Sequence, residues 1–338
     1  MSQDSIYQLV QASHVEMAQR WRHHYHAWGS GIPLELYLRR EEALNDGELC
    51  RKAMRMWLLK NDCDEILASC ETYAARIWYG QAEGDLNGLK LETVASVLVE
   101  PRLRGQGYAG ELLKQLSERL KFEEVAGVAL YSDVGPGLYR RAGYFLHPAR
   151  ESIRVVTGEP WPDAADEITL AQVADLLKEE TRHVHTRLAM TSVPSIVEVP
   201  TAERIEWFNV RSQFRAWSRG QQPPVVVGAR GPDGGYVLWT ADAPEAALHA
   251  LVWRPRSPAD AAVLAQAALA QAGEQDLQKV IWWDADRDTG LDPFRAPELQ
   301  PPGAMARDRE SSLPMLAWLD DSRPFPLVWA GIERFGWS

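Results

Sequence analysis

Between Leu91 and Leu120 the chain reads LETVASVLVEPRLRGQGYAGELLKQLSERL. The apolar run from Val94 to Val99 predicts a buried strand, and Pro101 and Arg102 turn the chain out of it. Beyond Gly107, Tyr108, Leu112, Leu113, Leu116 and Leu120 recur at a period near 3.6 residues, with Glu111, Lys114, Gln115, Glu118 and Arg119 between them. The pattern predicts strand, glycine-bearing loop and amphipathic helix in direct succession.

The same patterning places a strand at Ile6 to Val10 and a helix from there to about Ala27, stopped by Gly29-Ser30-Gly31. Met17, Trp21, His24, Tyr25 and Trp28 mark the core face of that helix, and His23, His24 and His26 lack the partners of a metal site. A second helix over Pro33 to Leu44 ends at Asn45-Asp46-Gly47. Strands follow at Met54 to Lys60 and Glu65 to Tyr79, then an irregular stretch from Gly80 to Asp85. Val125 to Asp133 is another apolar strand, and Glu151 to Val156 is expected to close a first domain. Two prolines within Gly158 to Asp163 read as a linker, which predicts domains over 1–158 and 159–338.

The second half echoes the first. Ala247 to Pro255 reads as a strand, Ala259 to Ala272 as an alanine-rich helix and Val280 to Asp284 as a strand. Where the first copy has glycines, this one has Arg256-Ser257-Pro258-Ala259-Asp260, and Asp260 would oppose an anion. Tryptophans at 207, 217, 239, 253, 282, 283, 318, 329 and 337, with Asp284, Asp320 and Asp321, offer either a pocket for an aliphatic cation or ordinary core packing.

Composition narrows the setting. The chain has 338 residues, a length for two domains or one large one, and 46% of them are hydrophobic, enough for real cores. Cys50, Cys63 and Cys70 form no CxxC pair and follow a polar N-terminus, which predicts reduced thiols in the cytoplasm. The apolar runs are of strand length, so no membrane span is expected. A formal charge of −11 argues against nucleic acid as a partner and suits a cationic substrate.

The loop after the first strand has the chemistry of an anion site. First-turn amides of a helix lack intrahelical partners and sit at the positive end of its dipole. Gly105 and Gly107 let a pyrophosphate approach, and Arg102 and Arg104 add charge. No Lys-Ser/Thr pair follows the second glycine, so a Walker loop is excluded, and Gly110 completes only a weak GxGxxG. Two carboxylates stand out: Glu92, which could be a strand-end charge facing solvent, and Glu71, inside the otherwise apolar ILASCETYAARIW, which could meet a cationic substrate or face solvent.

Arg-x-x-Gly-x-Gly after a strand ending in Val99-Glu100-Pro101 resembles the acetyl-CoA loop of the GNAT N-acetyltransferases, and Leu138 to Tyr144, LYRRAGY, resembles their LYxxxGF signature. The patches LYSDVGPGLYRRAGY, ILASCETY, IEWFNVRSQFRAW and SSLPMLAW are together similar to the fungal lysine N6-acetyltransferase family. The resemblance implies an α/β (α+β) GNAT fold with a mixed central sheet, followed by a degenerate second GNAT-like domain without CoA. It implies acetyl-CoA as cosubstrate and no metal. CoA contacts would fall to Arg104, Gly105, Gln106, Gly107, Tyr108 and Ala109, to the backbone at Leu98 and Val99, and to Ser132, which stands where many members carry asparagine. Tyr139 would protonate the leaving thiolate and Glu92 would be the general base. The acceptor is expected to be free L-lysine or a similar small cationic amine. A protein amine, or a non-catalytic acyl-CoA-binding role, are the alternatives, and a homodimer is compatible with the sequence.

Overall fold

The computed structural model describes residues 7–80, 86–178, 180–189, 191–284, 296–320 and 327–337. The predicted strand start at Ile6, the irregular stretch at 81–85 and Asp321 lie outside them. In the first half the elements run β1 (Gln8–Gln11), α1 (His14–Trp28), α2 (Leu34–Asp46), α3 (Glu48–Ala53), β2 (Met54–Lys60), β3 (Ile66–Gly80) and β4 (Asn87–Val99). Then come α4 (Tyr108–Phe122), β5 (Gly127–Ser132), α5 (Gly137–Arg141), β6 (Phe145–Leu146) and β7 (Arg150–Val155). The second half continues with β8 (Asp166–Thr169), α6 (Leu170–Leu177), α7 (Glu180–Leu188), β9 (Ser195–Glu198), α8 (Ala202–Ser218), β10 (Val226–Arg230) and β11 (Tyr236–Asp242). It closes with β12 (Ala247–Arg254), α9 (Pro258–Glu274), β13 (Lys279–Asp284), β14 (Met305–Asp308), β15 (Leu313–Trp318) and β16 (Val328–Ala330).

These strands form two mixed sheets. The first has the order β1-β2-β3-β4-β5-β15-β6, with β9 on the far end of β3 and β16 beside it; the second runs β14-β7-β13-β12-β11-β10-β8. Each sheet has an antiparallel meander and a parallel pair joined by a single crossover helix, β4 with β5 and β12 with β13; the first sheet has a second parallel pair where β16 joins β9. A parallel pair needs such a crossover, and α4 and α9 supply it. Leu112, Leu113, Leu116 and Leu120 of α4 pack on Trp57, Cys70, Val94, Val128 and Leu130, each leucine contributing roughly 1.5–3 kcal/mol by burial. Ala265, Ala268 and Ala272 bring α9 close to Trp239, Val280 and Trp282. Between the sheets, Tyr73 and Ala95 meet Leu238, Leu251 and Val252 of the second sheet and Trp207 and Phe208 of α8.

The strand expected to close the first domain does not do so. β7 pairs with β13 and β14 in the second sheet, while β15, from near the C-terminus, takes the corresponding place in the first, between β5 and β6. The two halves therefore exchange a strand. Alternation of apolar and polar positions locates a strand and its faces, but carries nothing about which sheet edge it joins.

Asp260 also has a definite role. Its carboxylate is fully buried and accepts from the amides of Asp233, Gly235 and Arg256 at 2.9–3.0 Å. An internal carboxylate thus occupies the start of α9, at the place that corresponds to the glycine loop before α4. No described helix is long and apolar enough to cross a membrane.

A fragment ending at residue 158 would leave β5 and β6 without β15, and β7 without a partner. We expect it to show no cooperative thermal unfolding by circular dichroism, whereas a sharp native-like melt would show that the exchange is dispensable.

Candidate active site

The site begins where β4 leaves β5. Leu91, Glu92, Thr93 and Val94 pair with Gly127, Val128, Ala129 and Leu130, and the pairing stops there. β4 continues beside β3 alone, through a register shift that pairs Glu71 with Ala95 and Ser69 with Leu98. Ser96 sits in this bulge at φ +52°, a left-handed conformation that costs a non-glycine residue about 1 kcal/mol or more. The bulge aims the Ser96 hydroxyl at Oε2 of Glu71, to which it donates at 3.1 Å; the Tyr73 hydroxyl donates to the same oxygen at 3.2 Å. On its far side the parted strand leads into the loop. Leu98 and Val99 lie on this stretch, beside Ser69 and Ala68, and the Val99 carbonyl accepts from Arg104 Nε at 3.4 Å.

Gly105 and Gly107 have φ of +81° and +88°, and Gly107 is the N-cap of α4. A Cβ at Gly105, Gly107 or Gly110 would meet nothing within 4 Å, so the loop's outer side is open to a ligand. Among the described residues the amides from Gly105 to Gly110 donate to no backbone carbonyl. This is a cradle of free donors at a helix N-terminus, and it fits a diphosphate. Gln106 is turned aside, accepting from the Tyr108 hydroxyl at 3.2 Å, and Ala109 opens the first turn of α4. Arg102 is exposed but tied to Glu65, and Arg104 is the loop's other exposed cation.

Inside the fork lies a cleft of about 200 Å³. Its walls include Glu71, Ser96 and Val97 from the bulge, Tyr139 from α5, His24 and Trp28 from α1, Arg40 and Glu41 from α2, Trp207 and Arg211 from α8, and Trp337. Gly336 makes the last of these possible: a Cβ there would lie 2.7 Å from the Tyr131 hydroxyl and 2.8 Å from Glu198 Oε2. Burial raises the Glu71 carboxyl from 4.5 to about 7, with Glu41 adding to the rise and the Ser96 and Tyr73 hydroxyls opposing it. His24 Nδ1 lies 3.8 Å from Glu71 Oε1, and its Nε2 is buried without a partner. Burial, with Arg20 and His23 nearby, lowers His24 to about 3, so its ring is neutral. Tyr139 is buried, and burial, helped by Asp133, lifts its phenol to about 12.

The structure thus brings Glu71, Tyr139 and the parted end of β4 together and leaves two predicted residues elsewhere. Glu92 faces α4, on the opposite side of the sheet from Glu71. Arg55 Nη2 donates to it at 2.7 Å while Nη1 of the same guanidinium reaches Glu123 at the C-terminal end of α4. Burial raises its carboxyl and Arg55 opposes the rise, but no wall of the cleft includes it. Ser132 is buried and spends its hydroxyl on the carbonyl of Gly135 at 2.7 Å. Of the tryptophans singled out, Trp207 and Trp337 line the cleft, while Trp239, Trp253, Trp282 and Trp329 are core. Asp320 is exposed, and nothing is described of the Asp284 side chain.

Sequence reasoning did not find His24, Arg40 or Arg211 as site residues. His24 fell on a face of aromatic core positions, and Arg40 sits in the polar run Arg39 to Glu42 without any distinguishing spacing.

A model of the LYC1 GNAT-like C-terminal domain matches residues 152–338, more than half of the chain. The chain belongs to the LYC1-like GNAT family. Beyond this, a lysine acetyltransferase of Yarrowia lipolytica is 25% identical over 97 residues, which are 28% of this chain and 25% of that protein. The match therefore spans about a quarter of the relative's length. Among solved structures, a GCN5-related N-acetyltransferase from Kribbella flavida aligns with a TM-score of 0.57 at 16% identity, covering 93% of this chain and 72% of that one. A probable N-acyltransferase from Enterococcus faecalis aligns at 0.58 and 13% identity, covering 93% and 73%. These likenesses carry the fold: a GNAT-type mixed α/β architecture extends over nearly the whole LYC1-like chain.

The Glu71 carboxyl gives this LYC1-like protein a stability signature. A folded-state value raised from 4.5 to about 7 means that the folded protein holds this proton more tightly than the unfolded chain. Its contribution is present below the unfolded value and is lost as pH rises through about 7. Glu71→Gln should therefore gain on the wild type between about pH 4 and pH 8 by up to roughly 3 kcal/mol. Urea midpoints at the two ends of that range measure it, and a difference independent of pH would contradict the assignment.

Proposed function

We propose that this protein transfers the acetyl group of acetyl-CoA to a primary amine, with the side-chain amine of free L-lysine or a similar small cationic amine as acceptor. One observation carries the reading. A buried carboxyl with a value of about 7 and a tyrosine hydroxyl face one small cleft at the point where a parallel strand pair parts beside an open glycine loop.

In this reading the amides of Gly105 to Gly110 and the side chain of Arg104 hold the diphosphate. The pantetheine arm follows the edge of β4 at Leu98 and Val99 that no longer pairs with β5. Held there, the thioester carbonyl faces the cleft, and the strand's free amides near Val97 polarise its oxygen. The acceptor's neutral nitrogen attacks the carbonyl carbon, the carbon–nitrogen bond forms and the carbon–sulfur bond breaks. Glu71 takes the proton from nitrogen, and Tyr139 gives one to the departing sulfur, so the products are the acetamide and free CoA thiol. Neutral His24 abuts Glu71 and orients it. The reaction needs Glu71 ionised, and its raised value places that change near neutrality. Glu92, locked between Arg55 and α4, has a bracing part instead.

The relative's name, lysine acetyltransferase, supports lysine as acceptor, and the acidic groups Glu71, Glu41 and Asp133 around the cleft support a cation. A cleft of this size, walled by three tryptophans, favours a free small molecule over a peptide segment. We place the protein in the cytoplasm on its three free cysteines, Cys50, Cys63 and Cys70.

Incubation with acetyl-CoA and L-lysine should release thiol, measured with a colorimetric thiol reagent; no release across lysine, polyamines and lysine peptides would remove the proposal. Glu71→Gln should lower kcat by about 10²–10⁴ and Tyr139→Phe by about 10². The wild-type kcat/KM should rise with pH through about 7, and that limb should vanish in Glu71→Gln; an unchanged profile would discharge Glu71 as base.

A further inference from the structure

The cleft contains two cations that acetyl transfer to a bare amine does not use. Arg40, on α2, is only 2% exposed. Its Nε and Nη2 both donate to Glu41 Oε1, at 2.9 and 2.5 Å, and its guanidinium carbon stands 4.5 Å from the centre of the Tyr37 ring. Nη1 is buried and has no hydrogen-bond partner. Arg211, on α8, is held by aromatic faces alone, 4.7 Å from the Trp207 ring and 5.1 Å from that of Trp337. Among the described residues no carboxylate lies within ion-pair distance of it. Both side chains line the cleft that holds Glu71.

This arrangement is costly unless something completes it. Arg40 has Glu41 as its counter-charge, yet its Nη1 is an unsatisfied N–H in a dry wall, which costs as much as a lost hydrogen bond. The half-buried Arg211 shares that wall with no described carboxylate in ion-pair reach, and its partial burial together with the nearby Arg40 charge lowers it to about 10. Three elements hold the pair in place: α2, α8 and the Trp337 tail. The group that would satisfy both is an anion with planar acceptors, since a guanidinium fork presents parallel donors.

The anion is not the cofactor's diphosphate. That group has its own cradle of amides in the Gly105 to Gly110 loop, none of which lines the cleft, and a cleft of about 200 Å³ does not admit a nucleotide. Nor is it a highly charged anion, because Glu41, Glu71 and Asp133 line the same space. A single carboxylate on a molecule that also bears an amine satisfies both signs at once. We infer that Arg40 and Arg211 form a carboxylate subsite, so that the acceptor is an amino acid with a free carboxylate, held at one end by the two arginines while its amine lies at Glu71. Polyamines, amino-acid amides and lysines within a protein chain lack the group this subsite reads. The inference rests on the acetyl-transfer reading for its purpose, though not for its geometry.

Two measurements on the full-length protein keep the inference apart from that reading. The first needs no turnover: calorimetric titration of protein saturated with CoA, using L-lysine, 6-aminohexanoate, cadaverine and L-lysine amide. The two carboxylates should bind roughly tenfold to hundredfold more tightly than cadaverine or the amide, the range set by one charge-assisted contact. Equal affinities, or tighter binding of cadaverine, would overturn the subsite. The second is the ratio of kcat/KM for lysine over cadaverine, which should fall about tenfold or more in Arg211→Met and in Arg40→Gln, mainly through KM, and recover in part in Arg211→Lys. A ratio unmoved by all three variants would overturn it, and if the variants do not fold, the wild-type titration decides. Carboxylate-dependent binding without any acetyl transfer would sink the catalytic reading and leave the subsite standing. Transfer indifferent to the carboxylate would do the reverse.

Discussion

The geometry of this protein depends on a pair of parallel strands that stop sharing hydrogen bonds. β4 and β5 pair from Leu91 to Val94 and then separate, while β4 stays bonded to β3 across the bulge at Ser96. A ladder interrupted inside a sheet leaves amides and carbonyls without partners, which a fold tolerates only where another molecule can use them. Here the opening leads on one side to the glycine loop before α4 and on the other to the cleft of Glu71 and Tyr139. The strain at Ser96 belongs to the same device, because it both bends β4 away and sets a hydroxyl on Glu71.

The second sheet shows what happens when the same outline is built closed. β12 and β13 form the corresponding parallel pair and α9 the crossover, yet Asp260 accepts three backbone amides at the helix start. An anion from the protein itself occupies the position where the first copy leaves room for one from solution. The second half instead supplies walls: Trp207, Arg211 and Trp337 complete the cleft, and β15 completes the first sheet. The two halves are bound by exchange, and the cleft belongs to both.

Much of this was legible in the residues. The apolar stripe of α4, the glycines at 105 and 107 and the strand before them appear where periodicity places them, because each is a local consequence of spacing or of a positive φ. β4 proved longer than the apolar run, reaching back to Asn87, since Lys90 and Glu92 break the apolar pattern. Glu92 is stabilised inside a strand by Arg55, a partner distant in sequence, and this is why it reads as a candidate base when considered alone. Glu71 behaves in the opposite way: a lone acid in an apolar strand is ambiguous until the bulge, Tyr73 and the burial around it are visible. Strand exchange, and the convergence of Arg40 with Arg211, depend on long-range pairing that no window of sequence contains.

The most direct test of the central claim is a crystal structure of the protein with bound acetyl-CoA. The account predicts the diphosphate on the amides of Gly105 to Gly110, the pantetheine arm along β4 past Leu98 and Val99, and the thioester carbonyl in the cleft between Val97 and Tyr139. A thioester outside the gap between β4 and β5, or a cofactor that does not bind there at all, would contradict it.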